Sequence, residues 1–146
     1  MASEIELLDS LKDQFNLGEK DPKSYSPLVL AYVGDCIYEM IIRTVLVHKR
    51  DSQVQKLHKE ATWFVKAATQ AMIVEKLMPL LSEEEQDVYR RGKNAKSHTA
   101  PKNADLGDYH KATGFEALAG YLYLSRNTGR LIDLVKIVLE DEFDKQ

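Results

Sequence analysis

An all-α fold is what the sequence predicts, and three observations predict it. Apolar residues recur at spacings of three and four, while Val/Ile/Thr alternation at period two is nearly absent. Proline and glycine number only four and seven in 146 residues. Helix-start chemistry stands where the apolar runs begin. The length suits one domain with a single core, expected over residues 1–146.

Taken in order, Ile5, Leu8, Leu11 and Phe15 make a short amphipathic first helix, with Gly18 beyond its end. Ser26-Pro27 opens a second: Ser caps free N–H groups, and Pro is tolerated at the first helical position. This helix is expected to run to about Val47. A helical region follows from Ser52 to Met78, with Leu57, Ala61, Phe64, Ala68, Met72 and Leu77 in register and Pro79 ending it. Periodicity leaves open whether it is one helix or two. Ser82-Glu83-Glu84-Glu85 is a capping box with acids in the first turn, and the helix it opens fades at Arg91-Gly92. Residues 91–112 lack apolar periodicity and read as a long loop. Helical spacing resumes at about Thr113 through Phe115, Leu118, Ala119 and Leu122. A last helix covers roughly Gly129 to Phe143, with Leu131, Leu134, Val135 and Val138 inward.

Hydrophobic residues are 44% and charged residues 29%, an ordinary globular composition. The N-terminus carries acids where a secretory leader needs a basic region, and no apolar run is long enough to span a bilayer. The single cysteine, Cys36, excludes an intrachain disulfide. The expected location is the cytoplasm, away from membranes. Net charge is −3, yet Arg90 to Lys111 holds six Lys/Arg against two Asp/Glu. A basic segment on an acidic body fits a polyanion contact, although on charge alone a solvated loop is the simpler account.

Two acids stand out. Asp35 lies within LVLAYVGDCIYEMII and Glu116 within TGFEALAGYLYL, both strongly apolar. A carboxylate desolvated without a partner costs several kcal/mol. Small residues beside each, Gly34 on one side and Ala119 and Gly120 on the other, would open space around it. A shared Mg²⁺ accounts for both, since hard cations take carboxylate oxygens and keep waters for substrate phosphates. The plain alternative places each acid at a helix edge or beside a Lys or Arg.

These residues carry a resemblance. AYVGDCIYE, Ala31 to Glu39, resembles the ribonuclease III signature helix, and HKATGFEALAGYLYL, His110 to Leu124, resembles that family's second motif. The two occur in order, roughly eighty residues apart. Within the family the likeness is to the Mini-III branch, which has the catalytic domain without a double-stranded-RNA-binding domain. The resemblance implies a helical homodimer whose two sites face a cleft for double-stranded RNA. It implies Mg²⁺-dependent cutting, with Mn²⁺ able to substitute, and products with 5′-phosphate and 3′-hydroxyl ends. Asp35 and Glu116 match the catalytic, metal-binding carboxylates. Lys93, Asn94, Lys96, Ser97, His98, Lys102 and Asn103 are donors suited to RNA phosphates and 2′-hydroxyls. The branch further implies precursor 23S ribosomal RNA as substrate, with a ribosomal protein as helper. The longer enzymes carry two more carboxylates, where this chain has Ala31 and Thr113, leaving Glu39, Asp105 and Asp108 to compensate. Two other functions fit parts of the pattern: a catalytically weak double-stranded-RNA binder, and a helical Mg²⁺-dependent nucleotide pyrophosphohydrolase. The latter needs close acid repeats on a core helix, and none is visible.

Overall fold

A computed structural model describes residues 6–96 and 105–145. Seven α-helices follow in order among them: α1 Glu6–Gln14, α2 Pro27–Lys49, α3 Val54–Val65, α4 Ala67–Leu77, α5 Glu83–Lys93, α6 Leu106–Leu124 and α7 Thr128–Phe143. The described residues contain no strand. None of their helices is long and apolar enough to cross a membrane.

The start signals act as expected. Ser26 Oγ accepts from the Val29 N–H at 3.3 Å, with Pro27 at the first helical position. At α5, Ser82 Oγ accepts from Glu85 N–H, and the Glu85 carboxylate accepts from Ser82 N–H.

α6 is the axis of the fold. Ten of its residues from Ala112 to Leu122 are buried, and α2, α4, α5 and α7 all pack on it. A helix apolar on every side belongs inside a bundle. α2 instead buries one stripe: Leu30, Ala31, Gly34, Tyr38, Ile42 and Leu46. Its far end is tied down by Arg50, which donates to Glu60 and to the Phe143 carbonyl, while Phe64 stacks on Phe143 with ring centroids 4.4 Å apart.

The region from Ser52 to Met78, where periodicity left one helix or two open, is two helices, and the structure departs from the expected pattern at Ala68, on α1, on α7 and before α6. Lys66, with φ −68° and ψ 157°, is extended and serves as the last residue of one and the first of the next. The break shifts the helical phase, so Ala68 is exposed while Thr69, Gln70 and Ala71 turn inward. Among the described side chains of α1 only Leu8 is buried; Leu11 and Phe15 are exposed, and Ile5 lies outside the described residues. On α7, Val138 is half-buried and Leu139 takes the inner position. Finally, α5 extends to Lys93 and α6 begins at Leu106, so the connection is shorter than residues 91–112. Asp105 caps α6 by accepting from the Asp108 N–H at 3.0 Å. Leu106 is exposed, so this first turn of α6 had no apolar signal to give.

Candidate functional site

Asp35 and Glu116 meet where α2 crosses α6. The crossing is made by glycines. A Cβ on Gly34 would stand 1.7 Å from the Glu116 carbonyl oxygen, and one on Gly120 would stand 2.0 Å from the Leu30 carbonyl oxygen. No side chain of any size fits either contact. The small residues therefore do not open space around the carboxylates. They close it, bringing two backbones together so that acids on neighbouring helices share one spot.

Asp35 is not buried, contrary to what its apolar neighbours suggest. It lies on the outer side of α2 with Tyr32, which is 81% exposed, and Met40. Glu116 is half-buried. Burial, then the Asp35 charge, push the Glu116 carboxyl up to about 7, and a hydrogen bond shared with Asp35 pushes the same way. Among the described residues no Lys, Arg or His pairs with either carboxylate. Two acids thus converge, with nothing positive between them among the described residues.

Among the described residues the side-chain amide of Gln70 donates to Glu116, Nε2 to Oε2 at 3.1 Å. The second Nε2 hydrogen goes to the Val65 carbonyl at 2.8 Å. Gln70 is 1% exposed, and its Oε1 is buried without a partner. The sequence reading missed this residue. Its signal was an amide in the apolar run of α4, visible only once the helix is broken at Lys66. The same junction satisfies the last carbonyls of α3, which lack helical partners. Thr69 Oγ1 donates to the Trp63 carbonyl, Tyr38 Oη to that of Phe64 at 2.7 Å, and Gln70 to that of Val65. Tyr38 also packs edge-on against Phe115, the neighbour of Glu116.

The other acids do not join. Glu39 pairs with Arg43 one turn along α2. Asp105 is spent as a helix cap. Thr113 is buried and donates to the Tyr109 carbonyl, and Ala31 is core. No group of three or more His, Cys, Asp or Glu that could hold a metal occurs among the described residues. Two carboxylates are nonetheless a sufficient protein contribution for Mg²⁺, which keeps waters and takes substrate phosphates for its remaining positions.

Of the predicted RNA contacts, Lys93 ends α5, Asn94 is its C-cap and Lys96 is exposed. Ser97, His98, Lys102 and Asn103 lie outside the described residues. Gly92 sits against Gly114 and Ala117, so the basic end of α5 adjoins the turn of α6 that carries Glu116.

The Ribonuclease III domain family matches residues 28–127. Mini-ribonuclease 3 of Clostridium tetani is 46% identical over 131 residues, covering 86% of this chain and 87% of its own. Mini-ribonuclease 3 of Enterococcus faecalis is 47% identical over 118 residues, covering 80% and 89%. The crystal structure of protein FN1578 from Fusobacterium nucleatum superposes with a TM-score of 0.76 at 31% identity, covering 85% of this chain and 99% of that one.

Proposed function

The chain belongs to the ribonuclease III family and is an endoribonuclease of that type; from that premise we propose that it cuts double-stranded RNA at the Asp35–Glu116 pair in a Mg²⁺-dependent reaction. The observation that carries this reading is the convergence of two carboxylates, without a cation partner among the described residues, across a glycine–glycine helix crossing.

Asp35 is the exposed member and meets the substrate side. Glu116 is the half-buried member, anchored by Gln70. Both would hold Mg²⁺, and Mn²⁺ offers the same hard-oxygen chemistry. When bound, the ion supplies Lewis acidity that activates water and offsets charge developing on the phosphodiester. The protein's own part is positioning. The glycine crossing brings the two helix backbones together, and Gln70 holds the Glu116 carboxylate. Hydrolysis of this kind leaves 5′-phosphate and 3′-hydroxyl ends.

Lys93, Asn94 and Lys96 are placed to contact the RNA backbone, where shape and phosphates dominate recognition. A second copy of the chain fits the apolar surface formed by Ile37, Met40, Ile41, Tyr123 and Ile132, beside the exposed acid. A homodimer would carry one site for each strand of a duplex. Precursor 23S ribosomal RNA, presented by a ribosomal protein, is the substrate that the resemblance supplies.

The test incubates the protein with a long RNA duplex and with its separate strands, in Mg²⁺ or EDTA, beside Asp35→Asn. Duplex-specific cutting that needs Mg²⁺ and is absent in the variant is the expected result. Duplex retention without cutting would leave a binder, and no interaction with RNA would overturn the reading.

A further inference from the structure

We infer that Gln70 is a positioning residue for the nuclease site: through Glu116 it holds one carboxylate in the orientation that a divalent cation needs. This rests on the reading of Asp35 and Glu116 as the metal-binding pair. A carboxylate on a helix turns freely about its last torsion unless something fixes it. Among the described residues nothing cationic fixes Glu116. Gln70 does, and its own geometry is over-determined. One amide hydrogen goes to Val65 O at 2.8 Å and the other to Glu116 Oε2 at 3.1 Å, so the amide cannot flip without facing two acceptors with an oxygen. The side chain is 1% exposed, which leaves it little freedom to move. The bond to Oε2 engages one oxygen of Glu116, whose carboxyl is also bonded to Asp35.

Gln70 also has a structural duty, since it satisfies the end of α3. Its neighbour Thr69 separates the two roles. Thr69 satisfies Trp63 O in the same junction but is bonded to neither carboxylate. If Gln70 matters only for the junction, losing Thr69 Oγ1 should do similar harm.

The experiment compares wild type, Gln70→Met, Gln70→Asn and Thr69→Val, all with Asp35→Asn as the metal-site control. Mn²⁺ binding to the RNA-free protein is read by electron paramagnetic resonance of the free ion. Duplex cleavage is read as kcat and KM. For Gln70→Met we expect Mn²⁺ binding weaker by roughly 10-fold, in the range that loss of a ligand's supporting hydrogen bond costs. We also expect a lower kcat at fixed Mg²⁺, unchanged KM for duplex and recovery at high Mn²⁺. Thr69→Val should melt lower with wild-type Mn²⁺ affinity. Mn²⁺ affinity of Gln70→Met within about twofold of wild type would overturn the inference. So would an equal loss in Thr69→Val, or loss of the folded helical signal in both Gln70 variants. Wild type that neither binds Mn²⁺ nor cuts duplex would overturn the metal-site reading, and this inference with it.

Discussion

Two acids in this molecule are drawn away from water and treated in opposite ways. Glu85 is 7% exposed and fully engaged: it accepts from the Ser82 N–H and from Nε and a terminal guanidinium nitrogen of Arg130. The Arg130 hydrogen bonds hold its carboxyl below the usual range. Glu116 has one neutral donor and a second acid for company, and its carboxyl rises to about 7. Glu85 is complete as it stands. Glu116 holds its proton more readily than a free carboxyl, and a cation beside it would favour the ionised form. A buried acid that is paired reports on the fold, and one left unpaired beside another acid reports on chemistry.

The largest expected effect is on Asp35. Because it is exposed, Asp35→Asn should leave the helical circular-dichroism signal and melting temperature intact. Duplex cleavage should fall by about 10³-fold, the upper range for removing one group that stabilises a transition state. A variant that unfolds would assign Asp35 to the fold. Next is the contact that brings the acids together. Gly34→Ala places a methyl group where Glu116 O already stands and should cost roughly 3 kcal/mol in urea unfolding, with activity lost alongside. Unchanged stability would mean that the helices separate at little cost.

The structural acid comes third. Glu85→Ala should cost about 2 kcal/mol, below the full figure for a buried pair because Arg130 is partly exposed. Activity per folded molecule should stay at the wild-type value, which a cleavage assay corrected for folded fraction checks.

The fourth prediction sharpens the contrast by pH. The folded carboxyl of Glu116 is raised, so its contribution is favourable below the unfolded value near 4.5 and is lost as pH rises through about 7. Glu116→Gln without divalent ions should therefore melt higher than wild type at pH 8, by about 1–2 kcal/mol after allowing for partial exposure, and no higher at pH 4. Glu85 runs the other way. Its contribution persists above about pH 4.5 and is lost only as pH falls through its lowered folded value. Equal melting of Glu116→Gln and wild type at pH 8 would show that the acid pair carries no strain. The smallest effects belong to Lys93→Ala and Lys96→Ala. Each should weaken duplex binding a few-fold and lower the salt slope by about one, as single phosphate contacts do.

Most helices were legible because caps and periodicity agree, as at Ser26-Pro27 and Ser82 to Glu85. The acids Asp35 and Glu116 were legible as residues out of place. What they did was harder to read. Apolar neighbours made Asp35 look buried, but α2 covers only one stripe, and the exposed side of that helix is apolar too. Gly34 and Gly120 were visible as small residues, yet only the crossing shows that backbone fills the space they leave. Gln70 was hidden because a single extended residue, Lys66, resets the helical phase before it. Periodicity measured across a break averages two registers and reveals neither.

The glycine crossing has a consequence for how the protein can vary. Where two helices touch through side chains, drift at one position is absorbed by compensating changes at another. Here the spacer between the two carboxylates is main chain, which substitution does not alter. The surrounding apolar core can be rebuilt residue by residue while the distance between the two helix backbones stays fixed. The tolerance is one-sided: apolar neighbours can change, and neither glycine can gain a carbon. A library that randomises the apolar core around α6 should therefore recover active variants at many positions, with Gly34 and Gly120 held fixed alongside Gly114 and Gln70.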